Sequence, residues 1–447
     1  MEQSNEGILN LPSLFDSDFI EKLSKEVGYD QRVHGPLKGE AMVKSLISLV
    51  MHYGWSASLH AHRMLLQLDY GVTVKEQSLN ERFNSKAVAL MKGVFDRGLK
   101  LRLRQSSPMK LLEQFTDVYL QDATAKELHP SLSTLYKGSG GGASEAGLKI
   151  GVSYSIGQGN ISVQFLNGAS SDTTQGIPEM EAGSLLLRDM GYFKIEDFVR
   201  IRQMACYILS RYRFGVNLYE DAERKDQICL LDLLSKMREN EVISKQVYVG
   251  EKQREPMRLI IEKVPPQVAA EKRRKLKTDK QNKRKNITKE RLAFCDANCY
   301  LTNIEEDKLP AESGRTLYGL RWLIEILFKT WKSVGKLSGE IREIQKYRFM
   351  CLLYAQFIVL VINTKVVHYF KAENWNNNGY KISDIKAHKA IDLLKERWWN
   401  AIINACYEAY NKVLKDLEML IRMTAKKRPK GKNEYHNDFF ICIEKQT

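Results

Sequence analysis

Four polar side chains recur at helical spacing within one largely apolar segment, residues 318–333. Tyr318, Arg321, Glu325 and Lys332 fall within about 60° of arc on a helix that advances 100° per residue. The apolar residues of the opposite face are Leu320, Leu323, Ile324, Leu327 and Trp331. The polar face thus carries one carboxylate and two cations. Taken alone, it fits either an exposed face with ion pairs or a functional site.

Two aspartates follow short apolar runs that have the composition of β-strands. Asp122 ends the run 118–122, and Asp189 ends the run 184–189. The carboxyl ends of strands are where sheet-based sites usually open, although either aspartate alone would also fit a cap or a turn. Together with Glu325, the two form an all-oxygen ligand set that suits Mg²⁺ or Mn²⁺. Two such ions about 4 Å apart can promote an in-line phosphoryl displacement.

The elements that must position these residues change character along the chain. Apolar periodicity predicts helices over residues 42–49 and 87–99, and a short helix within residues 72–83 with Ser78 as its N-cap. This region fits a DNA-binding domain or a helical cap on the next domain. Residues 137–144 are glycine-rich but lack the Gly-Lys-Ser/Thr of a phosphate loop, which predicts a hairpin tip. Short strands are predicted at residues 118–122, 149–155, 161–166, 184–189 and 204–214.

Residues 215–300 interrupt the strand-rich unit and concentrate positive charge. A strand pair is predicted at residues 245–250 and 257–262. Residues 271–290 contain ten Lys or Arg against three acids, in a chain of 447 residues whose net charge is +15. Such runs are often only solvated, but here the whole-chain charge favours a polyanion, nucleic acid before an anionic membrane surface. The residues predicted to contact phosphates here are Arg273, Arg274, Lys275, Lys283, Arg284 and Lys285.

Other features bear on the compartment. The longest apolar run, residues 349–362, has fourteen residues, whereas a membrane span needs roughly 20, so we predict a buried core helix. The N-terminal residues lack the pattern of a signal peptide, and the seven cysteines are sparse, which predicts a reducing cytoplasm.

Cys295 and Cys299 lack the second pair of ligands that a structural zinc site needs. The basic residues 426–432 are predicted to form a flexible tail.

The order and spacing of three motifs resemble a known family. QDAT at residues 121–124, DMGY at 189–192 and Y-x2-R-x3-E-x6-K at 318–332 resemble the motifs of bacterial insertion-sequence DDE transposases. The resemblance is to the YREK subgroup, insertion-sequence family four. LTN at residues 301–303 also resembles that family. The resemblance spans most of the chain, from the N-terminal helices into the long apolar run.

The resemblance implies a fold and a metal site. Members have a ribonuclease-H-like core, a mixed sheet flanked by helices, which a mostly β insertion interrupts between the second Asp and the Glu. Here 136 positions separate Asp189 from Glu325, which is enough for such an insertion. The resemblance further implies that Asp122, Asp189 and Glu325 are the catalytic residues and ligate two Mg²⁺ ions, with Mn²⁺ as a substitute.

The resemblance also implies how DNA is held. Tyr318, Arg321 and Lys332 would hold the 5′ phosphate of the non-transferred strand, a task for which an arginine fork and a lysine charge are chemically suited. Members of known mechanism grip a flipped base with a tryptophan of the insertion during hairpin formation. Residues 213–300 contain no tryptophan, and Tyr248 is the aromatic residue that could substitute for it.

The sequence therefore predicts a mixed α/β protein with helical N-terminal and C-terminal regions. The predicted domains are a helical DNA-binding domain (1–112), the first part of the ribonuclease-H-like core (113–214), the β insertion with its basic segment (215–300), the second part of the core with the Glu helix (301–370), and a helical C-terminal region with a possible role in dimerisation (371–447).

The predicted function is that of a metal-dependent DDE transposase. It would cleave phosphodiester bonds at the ends of its insertion sequence and join the 3′ hydroxyl to target DNA by a two-metal-ion, cut-and-paste mechanism. Its partners would be double-stranded DNA (terminal inverted repeats and target) and a second copy in a synaptic homodimer. It would act at the nucleoid in the bacterial cytoplasm, with no membrane. The alternatives are a domesticated or inactive sequence-specific DNA-binding protein derived from a transposase, and a general nuclease of the same fold.

Overall fold

The structure is a computed structural model that describes residues 6–30, 37–101, 113–140, 144–223, 226–282, 286–378 and 381–426. The chain divides into two compact units, each built from separate stretches of sequence. The first unit comprises Met1–Pro108, Ala123–Ser170 and Ile324–Gly431. The described residues of the second lie within Met109–Asp122 and Ser171–Leu323.

The described residues contain both helices and strands, which confirms the predicted mixed α/β class. The helices are α1 (Glu6–Leu9), α2 (Ser17–Glu26), α3 (Gly39–Tyr53), α4 (Leu59–Tyr70), α5 (Glu76–Arg82), α6 (Ser85–Lys100), α7 (Ile195–Gln203), α8 (Leu230–Lys236), α9 (Pro266–Asn282), α10 (Lys289–Ala293), α11 (Gly314–Gly319), α12 (Trp322–Ser333), α13 (Lys346–Asn378), α14 (Asp384–Leu393), α15 (Lys395–Ile403) and α16 (Tyr407–Thr424). The strands are β1 (Val118–Leu128), β2 (Ala146–Ser155), β3 (Ile161–Asn167), β4 (Leu185–Arg188), β5 (Tyr207–Arg211), β6 (Leu218–Tyr219), β7 (Val242–Val249), β8 (Glu255–Lys263) and β9 (Ala297–Thr302).

The core of the first unit forms around α13, which is 33 residues long. Its sequence is apolar on all sides, and a helix of that kind must be surrounded by other elements. Helices α3 and α6 pack along it, and 78% of its most apolar stretch of 18 residues is buried. Among the described residues it is the one helix long and apolar enough to cross a membrane, and its burial confirms the prediction of a core helix.

The second unit contains a mixed sheet in the order β1-β4-β5-β9-β8-β7-β6, and in the first unit β3, β2 and β1 are neighbours. Strands β1, β4 and β5 are parallel, whereas β9 runs antiparallel to β5 and pairs with β8. Parallel strands need covered faces, and β4 accordingly consists of the buried residues Leu185–Arg188. This mixed order is consistent with the predicted ribonuclease-H-like core.

Several predicted boundaries differ from the observed ones. Strand β1 continues to Leu128, so Asp122 lies within the strand and not at its end. Ser78 lies inside α5, whose N-cap is Lys75, so the predicted cap was wrong. The basic run of residues 271–290 begins within helix α9. This helix starts at Pro266, because the fixed backbone angle φ of proline suits the first helical turn.

Candidate active site

Asp122, within β1, and Asp189, the first residue after β4, occupy corresponding positions of two adjacent parallel strands in the second unit. The pairing of β1 with β4 places Gln121 opposite Arg188, and each aspartate is the next residue. Arg321 Nη1 donates a hydrogen bond to Asp122 Oδ2 at 3.1 Å, and Arg321 Nε lies 3.9 Å from Asp189 Oδ1. Both carboxylates therefore face one guanidinium, whose side chain is only 18% exposed.

Tyr318 adds a hydroxyl group to this cluster. That hydroxyl donates to the main-chain oxygen of Arg188 at 3.2 Å and lies 3.4 Å from Asp189 Oδ1. The ring packs against Tyr300, with the ring centroids 5.3 Å apart. Burial raises the pKa of the Tyr318 hydroxyl well above its ordinary range, so the group remains protonated and can only donate to the carboxylate.

The four residues of the Y-x2-R-x3-E-x6-K pattern do not share one helix, so that prediction was wrong. Helix α11 ends at Gly319 and α12 begins at Trp322, with Leu320 and Arg321 in a turn between them. The amides of Leu320, Arg321 and Leu323 each bond to the carbonyl three residues earlier, so the backbone tightens locally. This turn directs Arg321 to the two aspartates and starts α12 just before Glu325.

Glu325 and Lys332 line one open groove of about 580 Å³ in the first unit. Glu325 is half-buried in the first turn of α12, and Lys332 is exposed in its last turn. Ala123 and Thr124, the residues that follow Asp122 in β1, line the same groove. Lys329 is also exposed there, and sequence reasoning missed it although it lies one helical turn after Glu325.

The carboxylates of the second unit supply part of a metal site. Among the described residues, no three or more His, Cys, Asp or Glu side chains gather closely enough to hold a metal ion. Two carboxylates, Asp122 and Asp189, nevertheless converge on the guanidinium of Arg321. Carboxylate oxygens that already surround a positive charge are chemically suited to a hard divalent cation. The residues present in the second unit therefore fit two of the three predicted ligands.

Two further motif residues have structural roles. A Cβ atom on Gly191 of DMGY, in the 3₁₀ turn after Asp189, would come within 2.4 Å of Asp172 Oδ2, so any other residue would require that carboxylate to move. In LTN, the Asn303 side chain accepts from the Ile208 amide at 2.8 Å and donates to the Cys206 carbonyl at 2.9 Å. Asn303 therefore continues the pairing of β9 with β5 beyond the strand end.

The residues predicted to bind DNA in the insertion occupy different environments. Tyr248 is half-buried on β7, opposite Tyr219 of β6 and Pro256 of β8. Arg273 forms an ion pair with Asp296 of its own unit. The others are exposed on α9 (Arg274, and Lys275 paired with Glu271 at 2.8 Å) or lie outside the described residues (Lys283, Arg284 and Lys285). Their contact with DNA stays a prediction.

Sequence reasoning missed two buried polar residues that precede the aspartates. Gln121 is 1% exposed and Arg188 is 2% exposed, and the Arg188 guanidinium donates to the Gln121 side-chain oxygen. The sequence could have indicated these two residues, because alternation along a strand places the neighbour of each aspartate on the opposite face of the sheet. A glutamine and an arginine at two paired positions of that face need partners there.

The chain is similar in sequence to known proteins. The family model of the transposase DDE domain matches residues 113–362. The transposase for insertion sequence element IS231F of Bacillus thuringiensis subsp. israelensis is 29% identical over 351 residues, which cover 73% of this chain and 72% of that protein. The transposase for IS231B of subsp. berliner is 27% identical over 433 residues, 91% of this chain and 87% of that protein.

A similar protein is found in a second genus. The transposase for insertion sequence element IS1151 of Clostridium perfringens is 26% identical over 401 residues, which cover 83% of each chain. The match to the family model takes in both aspartates, Arg321 and Glu325, and it covers more than half of the chain. The protein therefore belongs to the DDE transposase family and is an enzyme of DNA strand cleavage and transfer.

Proposed function

We propose that this transposase cleaves phosphodiester bonds at the ends of its insertion sequence and joins the freed 3′ hydroxyl to target DNA by cut-and-paste transposition. The convergence of Asp122 and Asp189 on Arg321 carries the proposal. Two parallel strands present hard oxygen donors to one positive charge, at 3.1 and 3.9 Å. Phosphoryl transfer needs such a site, because charge develops on both the attacking and the leaving oxygen.

In this proposal Asp122, Asp189 and Glu325 hold two Mg²⁺ ions, for which Mn²⁺ can substitute. Bound ions would activate the attacking oxygen and stabilise the leaving one. The Tyr318 hydroxyl orients Asp189 by donating to its carboxylate. Because burial raises the pKa of that hydroxyl, it remains protonated and keeps the hydrogen that it can donate.

The cationic residues would position the DNA strand. Arg321 presents a planar fork that can bond two phosphate oxygens, and Lys332 supplies a point charge from the groove. Together with Tyr318, they would hold the 5′ phosphate of the non-transferred strand, as the YREK subgroup does. Lys329, exposed in the same groove, would add a further phosphate contact.

The test is strand nicking of DNA that carries the element's ends, in Mg²⁺, by wild type and by Asp122→Ala, Asp189→Ala and Glu325→Ala. We expect each variant to lose cleavage by at least about 10³-fold while still binding DNA, since each loses a ligand of the reacting centre. Glu305→Ala is the matched control, because this acid is exposed in the second unit and pairs only loosely with Lys308 at 3.4 Å. Nicking at the wild-type rate by all three variants would refute the assignment.

Two other functions predict different results in the same assay. A domesticated or inactive DNA-binding protein would bind the element's ends with full specificity. It would not cleave them, whichever divalent metal is supplied. A general nuclease of the same fold would cut DNA without those ends equally well. The acids of the motif are all present, which disfavours the inactive protein, and the comparison of the two DNA substrates separates the transposase from the nuclease.

The remaining parts of the proposal concern partners and place. We infer that the enzyme binds terminal inverted repeats and target DNA, works as a homodimer in a synaptic complex, and acts in the bacterial cytoplasm. Exposed Arg274 and Lys275 on α9 would contact DNA phosphates. Tyr248 would hold a flipped base if cleavage passes through a hairpin, because a stacked tyrosine can retain an extruded base. A Tyr248→Ala variant that forms hairpins at the wild-type rate would contradict that last role.

A further inference from the structure

A buried polar network lies between β1 and β4, on the residues directly before the two aspartates. Arg188 Nε donates to Gln121 Oε1 at 2.5 Å. The Gln121 amide nitrogen donates to the Gly176 carbonyl at 2.9 Å, and the Arg188 guanidinium bonds to the same carbonyl. Arg188 Nη1 forms an ion pair with Asp197 Oδ2 at 2.6 Å. All these residues belong to the second unit.

The network fixes the orientation of every group in it. The Gln121 oxygen accepts from Arg188, and its nitrogen donates to Gly176, so a flipped amide would place like groups against each other. Asp197 lies in the first turn of α7, where the helix dipole also favours a negative charge. Because Gln121 and Arg188 are direct partners in the strand register, this side-chain bond joins the two strands at their last paired position.

The network is difficult to explain as a source of stability. The side chains of Arg188 and Asp197 are only 2% and 6% exposed, and the desolvation of two such charges offsets most of their attraction. Apolar side chains of the same volume would often stabilise a sheet equally well. What the network supplies instead is a single relative position for two strand ends, since hydrogen bonds are directional and apolar contacts are not.

We propose that Gln121 and Arg188 are positioning residues that set the separation of the Asp122 and Asp189 carboxylates and so tune the affinity of the site for divalent metal. The inference rests on the proposed function, in which both carboxylates are metal ligands. Each aspartate is covalently joined to one member of the bonded pair, so a change in the pair shifts one ligand relative to the other. Groups behind the ligands commonly change metal affinity by roughly 10- to 100-fold.

The experiment is titration of the DNA-free, full-length protein with Mn²⁺, followed by electron paramagnetic resonance of the free ion. Gln121→Leu removes the acceptor of the buried Arg188 Nε, and we expect Mn²⁺ to bind on the order of 10-fold more weakly, together with some loss of thermal stability. Gln121→Glu retains an oxygen that can accept from Arg188 but places its second oxygen against the Gly176 carbonyl, so we expect it to restore only part of the affinity. Arg188→Met should bind Mn²⁺ as weakly as Gln121→Leu does. The test rests on the Gln121 variants, so it holds even if Arg188→Met does not fold.

Gln356→Leu is the matched control. Gln356 is 4% exposed and donates to the carbonyl of Gly335 in the first unit. A merely structural effect of losing a buried amide would be the same in both leucine variants. Equal Mn²⁺ affinity of Gln121→Leu, Gln356→Leu and wild type would therefore overturn the inference.

The failure of the inference can be told apart from failure of the proposed function. If Asp122→Ala and Asp189→Ala lose Mn²⁺ binding while Gln121→Leu keeps it, the two acids are ligands and the network does not position them. If both aspartate variants bind Mn²⁺ as wild type does, the proposed metal site is wrong, and the inference falls with it.

Discussion

Arg321 offsets the repulsion between two carboxylates that adjacent strands bring close together. Asp122 and Asp189 follow directly paired residues, so two carboxylates come close together. The guanidinium lies at 3.1 and 3.9 Å from them and offsets their mutual repulsion. A divalent cation would have to take over this role, because it needs the same oxygens.

Removal of this guanidinium should therefore favour metal binding while it harms catalysis. For Arg321→Ala we expect Mn²⁺ to bind the DNA-free protein about fivefold more tightly, since a competing interaction of about 1 kcal/mol is removed. Nicking of end-containing DNA should fall, because the fork for phosphate is gone. Arg315→Ala is the control, since Arg315 pairs with Glu262 at 2.8 Å. Weaker Mn²⁺ binding by Arg321→Ala would contradict this view.

The Tyr318 hydroxyl makes a second residue-scale prediction, about pH. Tyr318→Phe removes the donor to Asp189, and we expect cleavage to fall and the free energy of unfolding to decrease by about 1 kcal/mol. Because burial keeps the pKa of Tyr318 well above the ordinary range, its hydroxyl does not titrate near neutral pH. The ratio of wild-type to variant nicking rates should therefore be constant from about pH 6 to pH 9. A ratio that drifts steadily with pH would show that the hydroxyl ionises.

Residue types at the site were predictable, whereas the interactions between them were not. The order of Asp122, Asp189 and Glu325 and the interval pattern around Arg321 can be read directly from the sequence. The approach of Arg321 to two aspartates depends on the backbone turn at Leu320, which a helical wheel cannot represent. The partners of Arg188 were also hidden, since Gly176 and Asp197 come from a loop and a helix with no motif of their own.

At the scale of elements, the break between α11 and α12 is the feature that matters most for the site. Gly319 is the last residue of α11, and glycine is a poor helix former, so local propensity is weak where the helix ends. Leu317 and Leu320 are both buried on the two sides of Gly319. Strand positions were predicted better, because alternation is a local property, although β1 proved longer than its apolar run.

The packing of α3 against α4 predicts an acid sensitivity of the first unit. His62 of α4 is 1% exposed, and its Nε2 lies 2.8 Å from the Ser45 hydroxyl of α3. Burial lowers the pKa of His62 to about 3, so the folded unit holds it neutral. The unfolded chain binds a proton below about pH 6.5, and stability must therefore fall as the pH drops from there towards about 3. The expected slope is about 1.4 kcal/mol per pH unit.

His62→Gln should remove this contribution. Between about pH 7 and pH 5 we expect the loss of unfolding free energy to be about 2 kcal/mol smaller in the variant than in wild type, measured by urea denaturation. His60→Gln is the matched control, because His60 lies on the same helix with its side chain 64% exposed. An identical pH slope in His62→Gln and wild type would show that His62 is already charged in the folded protein.

At the scale of the whole molecule, the net charge of +15 favours binding to the phosphates of DNA of any sequence. We expect Arg274→Ala with Lys275→Ala to weaken binding to DNA of any sequence, because both side chains are exposed on α9. The slope of log affinity against log salt should become shallower by about 1 for each phosphate that the variant no longer neutralises. Lys245→Ala is the control, since Lys245 pairs with Glu220 at 2.5 Å. An unchanged slope in the double variant would exclude α9 from the interface.

The division into two units was the part of the architecture that sequence reasoning could not reach. Composition shifts mark changes along the chain, such as the basic run at residues 271–290. Two of the unit boundaries fall inside secondary structure: one lies in β1, between Asp122 and Ala123, and one in α12, between Leu323 and Ile324. Neither position has a linker composition, because both lie within continuous secondary structure. The predicted domain limits at residues 112, 214, 300 and 370 stay predictions.

The first unit is assembled from three stretches that are far apart in the chain, and this limits how the gene can be shortened. A product that starts late lacks α1–α6, and one that stops early lacks α13, around which α3 and α6 pack. Neither half of the reading frame encodes a self-sufficient piece of this unit. Frameshifts and internal stops in decaying copies of the element should therefore abolish the helical core outright instead of leaving a working fragment.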